Sequence, residues 1–488
     1  MQEKTPESTS SDYDAMVPYW VKTAAIMGGT AAMRESGKTF LPQFPHESNK
    51  DYELRLGNAK FTNIFADIVD TLAAKPFEQE ITVSDEGDLK DLLEDIDGQG
   101  SHIHVFAGKV FHAGVVDALT WVMVDYPSNI KENATRAEVK ASGIRPYWVH
   151  LNGSDVLAVY SEAIAGKEVI THVRIKEDQK VRDGYGEAIT ERVRVIERTV
   201  DRDQLGNATG AGAPLWSLME KQKDKDGKKR WIEVDAGAYS IGYIPLFPFT
   251  TGKRVGSSWV VKPAMERAAD LQIEHFQQES ELKYMRQRTA FAMLAGNGVM
   301  PPKGDDGKPT PLPVGPFAVL YAPPDGSGSH GDWQVLEPAG TSLTFCSDEV
   351  DKTEAQLREL GRQPLTSQSG NITTITAAFA GDKANSAIEA WALNCKDFLE
   401  NCLKATADWQ KSNAQPVVQL NTDFSLDMKE DTGAEDLAKA RDRGDISQET
   451  WFEEAKRRGY IGPNRTFKDE IERLTDELPG DDDDIVDG

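Results

Sequence analysis

The chain has 488 residues, 39% of them hydrophobic, and a formal net charge of -25. That length allows one large elaborated unit or several domains, and so acidic a balance argues against tight nucleic-acid binding, whose affinity comes from Lys and Arg displacing counterions. No apolar run approaches the roughly eighteen residues a membrane helix needs, and "MQEKTPESTSSDYDAM" lacks the basic-then-apolar order of a secretory signal, so a soluble protein made inside the cell is expected.

Residues 1–15, rich in Ser, Thr, Glu and Asp, are expected to be disordered. "VPYWVKTAAIMGGTAAMRESGKTFLPQFP" then reads as a short helix and an irregular segment with stops at Pro42 and Pro45. From Tyr52 to Leu72, the positions Leu56, Phe61, Ile64, Phe65, Ile68, Val69 and Leu72 mark one amphipathic helix. Another starts near Ser101, with Ile103, Phe106, Ala107, Val110, Phe111 and Gly114 on one face, and leads into the strand "ALTWVMVDYP". Between Pro146 and Phe249 the pattern turns to strands: "YWVHLNG", "VLAVYSEAI", "VITHVRI", "ERVRVIERTV" and a closing "IPLFPF". There "NATGAGAPL" reads as a loop and "EKQKDKDGKKRW" as a hairpin tip.

A long helix is predicted over 262–288, with Pro263 in its first turn. Its apolar positions are few and small, chiefly Ala264, Ala268, Leu271, Leu282 and Met285. So thin a stripe calls for more than one globular core to pack on, and copies of the same helix would supply the rest. Residues 290–346 are strand-and-turn material dense in Pro and Gly. "SDEVDKTEAQLRELG" reads as a second helix, N-capped by Ser347 and stopped by Gly361. Residues Thr366 to Ser386, "TSQSGNITTITAAFAGDKANS", form a small, polar, nearly uncharged stretch. It is far longer than the roughly two to eight residues of an ordinary connection. A helix follows from Ser386 to Trp409, opened by a capping box of Ser386 and Glu389. Beyond "VVQLNTDFSL" come acidic helices starting near Ser447 and Asn464, then a tail with the run Asp481–Asp484. From Asp427 onward there are 20 acidic and 10 basic residues.

Chemistry is sparse. There is no P-loop, no G-x-S-x-G, no H-E-x-x-H and no paired C-x-x-C. "GNGVMPPKGDDGK" and "GGTAAMRESGKT" carry glycines without phosphate-loop spacing and read as turns. His102 and His104 would point to different sides of a helix, so with His112 they read as structural. Cys395 and Cys402 lie seven apart on one helix, ~10 Å along its axis. That is too far for a disulfide, and with Cys346 they read as reduced thiols. No catalytic residue, metal ligand or cofactor site is expected, and the chain is not read as an enzyme.

The order of helix, Pro/Gly-rich module, helix, long small-residue loop and helix resembles the portal proteins of tailed bacteriophages. The likeness is nearer to a branch long catalogued as an uncharacterised phage domain. It is carried by "FLPQFPHES…YELRLGNAKFTNIF", "IPLFPF…PAMERAADLQIEHFQQESELKY" and "LPVGPFAVLYAP…WQVLEPAG". "LRELG…TAAFAGDKANSAIEAWALNCKDFLENCLKATADW" and "DFSL…GDISQETWFEEAKRRGYI" complete it, so that in order the five cover nearly the whole chain. The resemblance implies an α+β portal-like fold with a wing, two stem helices, a clip, a tunnel loop, a long wing helix and a helical crown. After the disordered 1–15, the wing would take 16–261, the first stem helix 262–289, the clip 290–346 and the second stem helix 347–362. The tunnel loop would be 363–385, the wing helix and its strand 386–426, and the crown with its acidic tail 427–488.

It also implies a subunit of a ring, typically of twelve copies, at one capsid vertex of the virion, assembled in the host cytoplasm. Its expected partners are other copies of itself, the major capsid protein, the terminase motor, the head-tail adaptor and double-stranded DNA passing non-specifically, with no membrane. Asn371, Thr373, Thr374, Thr376 and Lys383 would line the channel. The loop offers hydroxyls and amides but no Lys or Arg before Lys383, which suits touching phosphates without gripping them. Lys283, Arg286 and Arg288 read either as solvated residues favouring a helix C-terminus or as a basic ring between stem and clip. The alternatives are another head-tail protein, such as an adaptor or minor head protein, and an enzyme with a site in the β-rich lobe.

Overall fold

The computed structural model describes residues 4–127, 143–223, 227–289, 293–297, 331–336, 341–360 and 374–422, with Lys308, Phe424, 433–457 and parts of 460–473. Within them the fold is α+β. Helix α1 (Ser11–Met27) starts well inside the stretch expected to be disordered. Ser10 caps it by accepting the Tyr13 N–H at 3.2 Å, and Met16, Tyr19, Trp20 and Ile26 anchor its buried face. A polar first turn is what a capped helix start looks like, and composition alone mistakes it for disorder.

After α2 (Gly29–Glu35), the helix expected over Tyr52–Leu72 is two helices, α3 (Asn49–Asn58) and α4 (Ile64–Ala74). The break is made by Asn63. Its side chain accepts the Ala66 N–H at 3.0 Å to restart the helix and donates to Ile26 O at 2.8 Å, tying the joint to α1. A short α5 (Lys90–Leu93) precedes α6 (Ile103–Asp117), whose buried face carries all six predicted positions.

Two antiparallel sheets follow. The first has Leu119–Asp125 in the middle, flanked by Leu246–Thr250 and Tyr147–Asn152. All seven residues of the middle strand are buried, as expected for a strand covered on both faces. α6 covers one side so closely that a Cβ at Gly114 would lie 2.4 Å from the Phe249 ring. Only glycine permits that approach. The second sheet runs Lys229–Ala238, Leu215–Lys223, Arg192–Glu197, Lys167–Lys176, Val156–Ile164. The predicted hairpin tip lies between its first two strands, with Lys223 opposite Lys229. "NATGAGAPL" is not all loop, since Ala208–Ala211 pairs with Val200–Arg202.

Downstream, α7 (Glu266–Thr289) and α8 (Thr341–Leu360) precede α9 (Thr374–Gln410), and α10 (Gly433–Asp442) and α11 (Gln448–Arg457) follow, with further helical residues between 467 and 473. Ser447 caps α11, accepting the Thr450 N–H at 3.0 Å, as its sequence suggests. α9 packs on the same face of the first sheet as α6, against the Phe249 and Trp148 side chains that α6 also meets. Phe398 packs 5.7 Å from Phe249, and Thr406 Oγ1 accepts from Trp148 Nε1 at 2.9 Å in a fully buried contact.

Asp117, the last residue of α6, faces the helix's negative end and is half-buried, and the Thr23 hydroxyl donates to it at 3.0 Å. Burial pushes its carboxyl up to about 6. An acid whose folded value lies above its unfolded ~3.9 costs stability once ionised, so the cost is complete above pH 6 and is relieved as pH falls from 6 towards 4. Asp117→Asn keeps an acceptor for Thr23 and is expected to raise stability at pH 7.5 by about 1–3 kcal/mol, but not at pH 4, in denaturant melts at the two pH values.

Candidate functional site

α7 and α8 form an antiparallel hairpin. His275 lies opposite Glu354, and Met285 Sδ is 4.0 Å from Cys346 Sγ. Beyond the helices the same two segments pair as a two-stranded ribbon, Met293 opposite Leu336 and Asn297 opposite Asp332. Two helices of 24 and 20 residues, ~36 Å and ~30 Å long, thus carry a β-ribbon at their far end. Both helices start elsewhere than the sequence suggests. Val261–Lys262 is a strand, so Pro263 precedes α7 instead of opening it, and Ser347 lies in the second turn of α8 instead of capping it.

The near end of the hairpin is fixed to the N-terminal body by a seam of mixed polar and apolar side chains. Ala268, Ala269, Gln272, His275, Phe276, Ser280 and Leu282 of α7 are all buried within the single chain. Gln272 works in both directions: its Oε1 accepts the Phe65 N–H at 2.9 Å and its Nε2 donates to Thr62 O at 3.0 Å. It therefore satisfies a free N–H in the first turn of α4. Gln277 donates to Phe40 O at 2.8 Å, Lys60 meets Glu279 at 2.7 Å, and Phe61 sits edge-on to Phe276 at 5.7 Å. From α8, Val350, Thr353 and Leu357 are buried, at helical spacing. Copies of the helix are therefore not needed to cover its inner face. Its inner face is covered by its own chain, because buried Gln272, His275 and Ser280 pack beside Ala268, Ala269, Phe276 and Leu282 and widen a stripe that the apolar residues alone leave thin.

The channel residues fall in two groups. Asn371 and Thr373 lie outside the described residues, as does Asp481–Asp484. Thr374, Thr376 and Lys383 are on the first turns of α9, which begins at Thr374 and not at Ser386. The small residues there, including three alanines between Thr376 and Lys383, favour helix over loop. Lys283 is half-buried and Arg286 exposed near the ribbon end of α7, where Arg288 also lies, so the backbone brings the basic trio to that junction.

Residues 265–410 match a family model described as "Domain of unknown function (DUF4055)". That span opens just before α7 and closes at the end of α9. Among solved structures, the chain is similar to one in the neck of a native GTA particle computed with C12 symmetry, at 12% identity and a TM-score of 0.38, covering 79% of this chain and 87% of that one. It is similar to a chain in the neck of an empty GTA particle computed with C6 symmetry, at 13%, 0.39, 79% and 87%. A third, from the virion of a native gene transfer agent particle, gives 10%, 0.39, 80% and 87%. No curated protein matches.

A second concave feature lies between the sheets, a cleft of about 790 Å³ lined by Tyr126, Trp216, Tyr239 and Trp409 around Arg194. Arg194 binds Asp125 at 2.8 Å across the sheets and Glu177 through two bonds of 2.8 and 2.9 Å. Its donors are committed to joining the sheets, so this ion pair is structural. The three helix-region histidines do separate jobs. His102 caps α6, His104 accepts the Ile81 N–H at 3.3 Å, and His112 meets Asp70 at 2.8 Å. No group of three or more metal-capable side chains occurs among the described residues. Cys395 and Cys402 are buried free thiols whose ionisation burial pushes up, and Cys346 is half-buried. No described helix is long and apolar enough to cross a membrane.

Proposed function

We propose that the chain is a portal-type ring subunit, serving DNA packaging, retention and ejection and the attachment of a head-tail adaptor. One observation carries this reading: a helical hairpin whose two strands of chain pair again as a β-ribbon, built into one chain between a folded N-terminal body and a long helix. In the proposed assembly the hairpin is the stem, the ribbon the root of the clip, and the body with α9 the wing. The start of α9 and the residues before it face the channel. An adaptor or minor head protein has no need of paired stems bracketing a ribbon.

In this reading the ring meets the major capsid protein at its wing and the terminase motor at its clip. The subunit does no chemistry of its own, and duplex DNA passes a polar, weakly charged surface. Electron microscopy of the purified chain, over a range of concentration and salt, tests the reading. A closed ring with a central channel is expected, with heterologous contacts between subunits. A compact monomer under every condition would overturn it.

A further inference from the structure

His275 sits in the seam that mounts the hairpin, and the proposed function makes no use of it. Its side chain is 1% exposed, and neither Nδ1 nor Nε2 has a hydrogen-bond partner. Nδ1 lies 3.9 Å from Glu279 Oε2, also buried and unpartnered, and Nε2 lies 4.0 Å from Glu354 Oε2. Both separations are beyond hydrogen-bonding distance. The carboxylates' other oxygens are already engaged. Glu279 Oε1 accepts from Lys60 at 2.7 Å and from Thr62 at 3.2 Å, while Glu354 Oε1 accepts from Arg358 at 2.9 and 3.1 Å.

The ring is thus the middle of a line of charges, Lys60–Glu279–His275–Glu354–Arg358, that crosses from the segment ahead of α4 through α7 to α8. Glu279 comes from its own helix, Glu354 and Arg358 from α8, and Lys60 from that segment, while α4 buries only apolar side chains such as Phe65, Ile68 and Leu72. The two carboxylates and two cations already balance, so a proton on the ring leaves one net charge in a buried seam.

We propose that His275 is a proton-controlled release for the hairpin: neutral, it packs between α7 and α8, and protonated, it loosens their seam from the N-terminal body. This holds for the mount whatever assembly the hairpin serves. Burial holds the ring's proton affinity below the ordinary value, against the pull of Glu279 and Glu354. A histidine with a depressed folded value gives the fold its full contribution above its unfolded ~6.5, and that contribution is lost as pH falls below it, because the open form takes the proton first.

Hydrogen exchange on the full chain between pH 7.5 and 5.0, with rates corrected for intrinsic exchange, tests this. Protection of amides in 268–282 and 350–357 is expected to fall about three- to tenfold on acidification. In His275→Gln, which does not titrate, the drop should vanish. Burial also depresses His150 and His172, but they lie in the two sheets, whose amides serve as an internal control. Glu354→Gln, which removes one carboxylate that favours the charged ring, should leave the onset where it is but deepen the drop and carry it to lower pH. An undiminished drop in His275→Gln, or unchanged protection in the parent chain, would overturn the proposal. If His275→Gln does not fold, a drop no deeper at pH 5.0 in Glu354→Gln than in the parent chain overturns it as well.

Discussion

Phe276→Ala is expected to destabilise the mounting of the hairpin by about 3–5 kcal/mol, the cost of emptying a fully buried aromatic site. Phe276 has no exposed surface, packs edge-on against Phe61, and accepts the Ser280 hydroxyl at its carbonyl at 2.6 Å. The rest of the seam cannot close around the hole. Gln272 and Gln277 are held on either side by hydrogen bonds to the backbone at Thr62, Phe65 and Phe40, and moving them would strand buried polar groups. Phe345, on α8, is the matched control. It is 66% exposed, so Phe345→Ala should change stability by no more than about 0.5 kcal/mol. Hydrogen exchange distinguishes local from global loss, since α7 and α8 should lose protection before the strand Leu119–Asp125. Equal effects for the two variants would mean that the hairpin is not mounted through Phe276.

The parts legible in sequence are those where apolar spacing decides. The buried face of α6, the strand Leu119–Asp125 and the Ile388–Thr406 stretch of α9 all follow from it, because a helix or strand between apolar neighbours must present apolar side chains. What could not be read is where polar groups do the same work. Gln272, His275 and Ser280 are buried as completely as any leucine, yet a scan for apolar residues passes over them and finds only a thin stripe. The signal was present in the helical spacing of Gln272, His275, Phe276 and Glu279, which has meaning only once the acceptors at Thr62 and Phe65 are known. Helix starts failed for a related reason. Asn63 and Ser10 are good caps, but nothing local separates them from Ser347, which is equally suited to capping and lies inside a helix. The hairpin's register was invisible because it depends on partners more than fifty residues apart.

Arg55→Ala is the second large effect expected, about 3–5 kcal/mol, and it bears on the segment "FLPQFPHES" that leads into α3. Arg55 is 1% exposed. Its Nε and Nη2 grip Glu47 at 2.9 and 2.8 Å, and Nη2 also donates to Pro42 O at 2.7 Å. Its guanidinium lies 4.1 Å from the Phe44 ring centre and 5.4 Å from that of Tyr52, whose hydroxyl donates to Leu41 O at 3.1 Å. One side chain therefore gathers an irregular stretch that has no ladder of its own. That stretch includes Phe40, whose carbonyl receives Gln277 of α7, so the hairpin's mount depends on it. Removing the cation takes away the guanidinium that grips Glu47, whose side chain is only 5% exposed, and breaking one side of a buried pair costs more than the pair itself is worth. Three further variants separate those terms. Arg55→Lys keeps the charge but not the fork, and should recover only part of the loss. Arg55→Met with Glu47→Leu removes both charges while filling the space, and should recover most of it. Arg55→Met alone should be relieved as pH falls and Glu47 takes up a proton, whereas the double variant should show no such relief. Denaturant melts of the four variants at pH 7.5 and 5 read all of these terms. If Arg55→Ala costs under about 1 kcal/mol, or the double variant is as poor as the single ones, the buried pair is not what organises this segment.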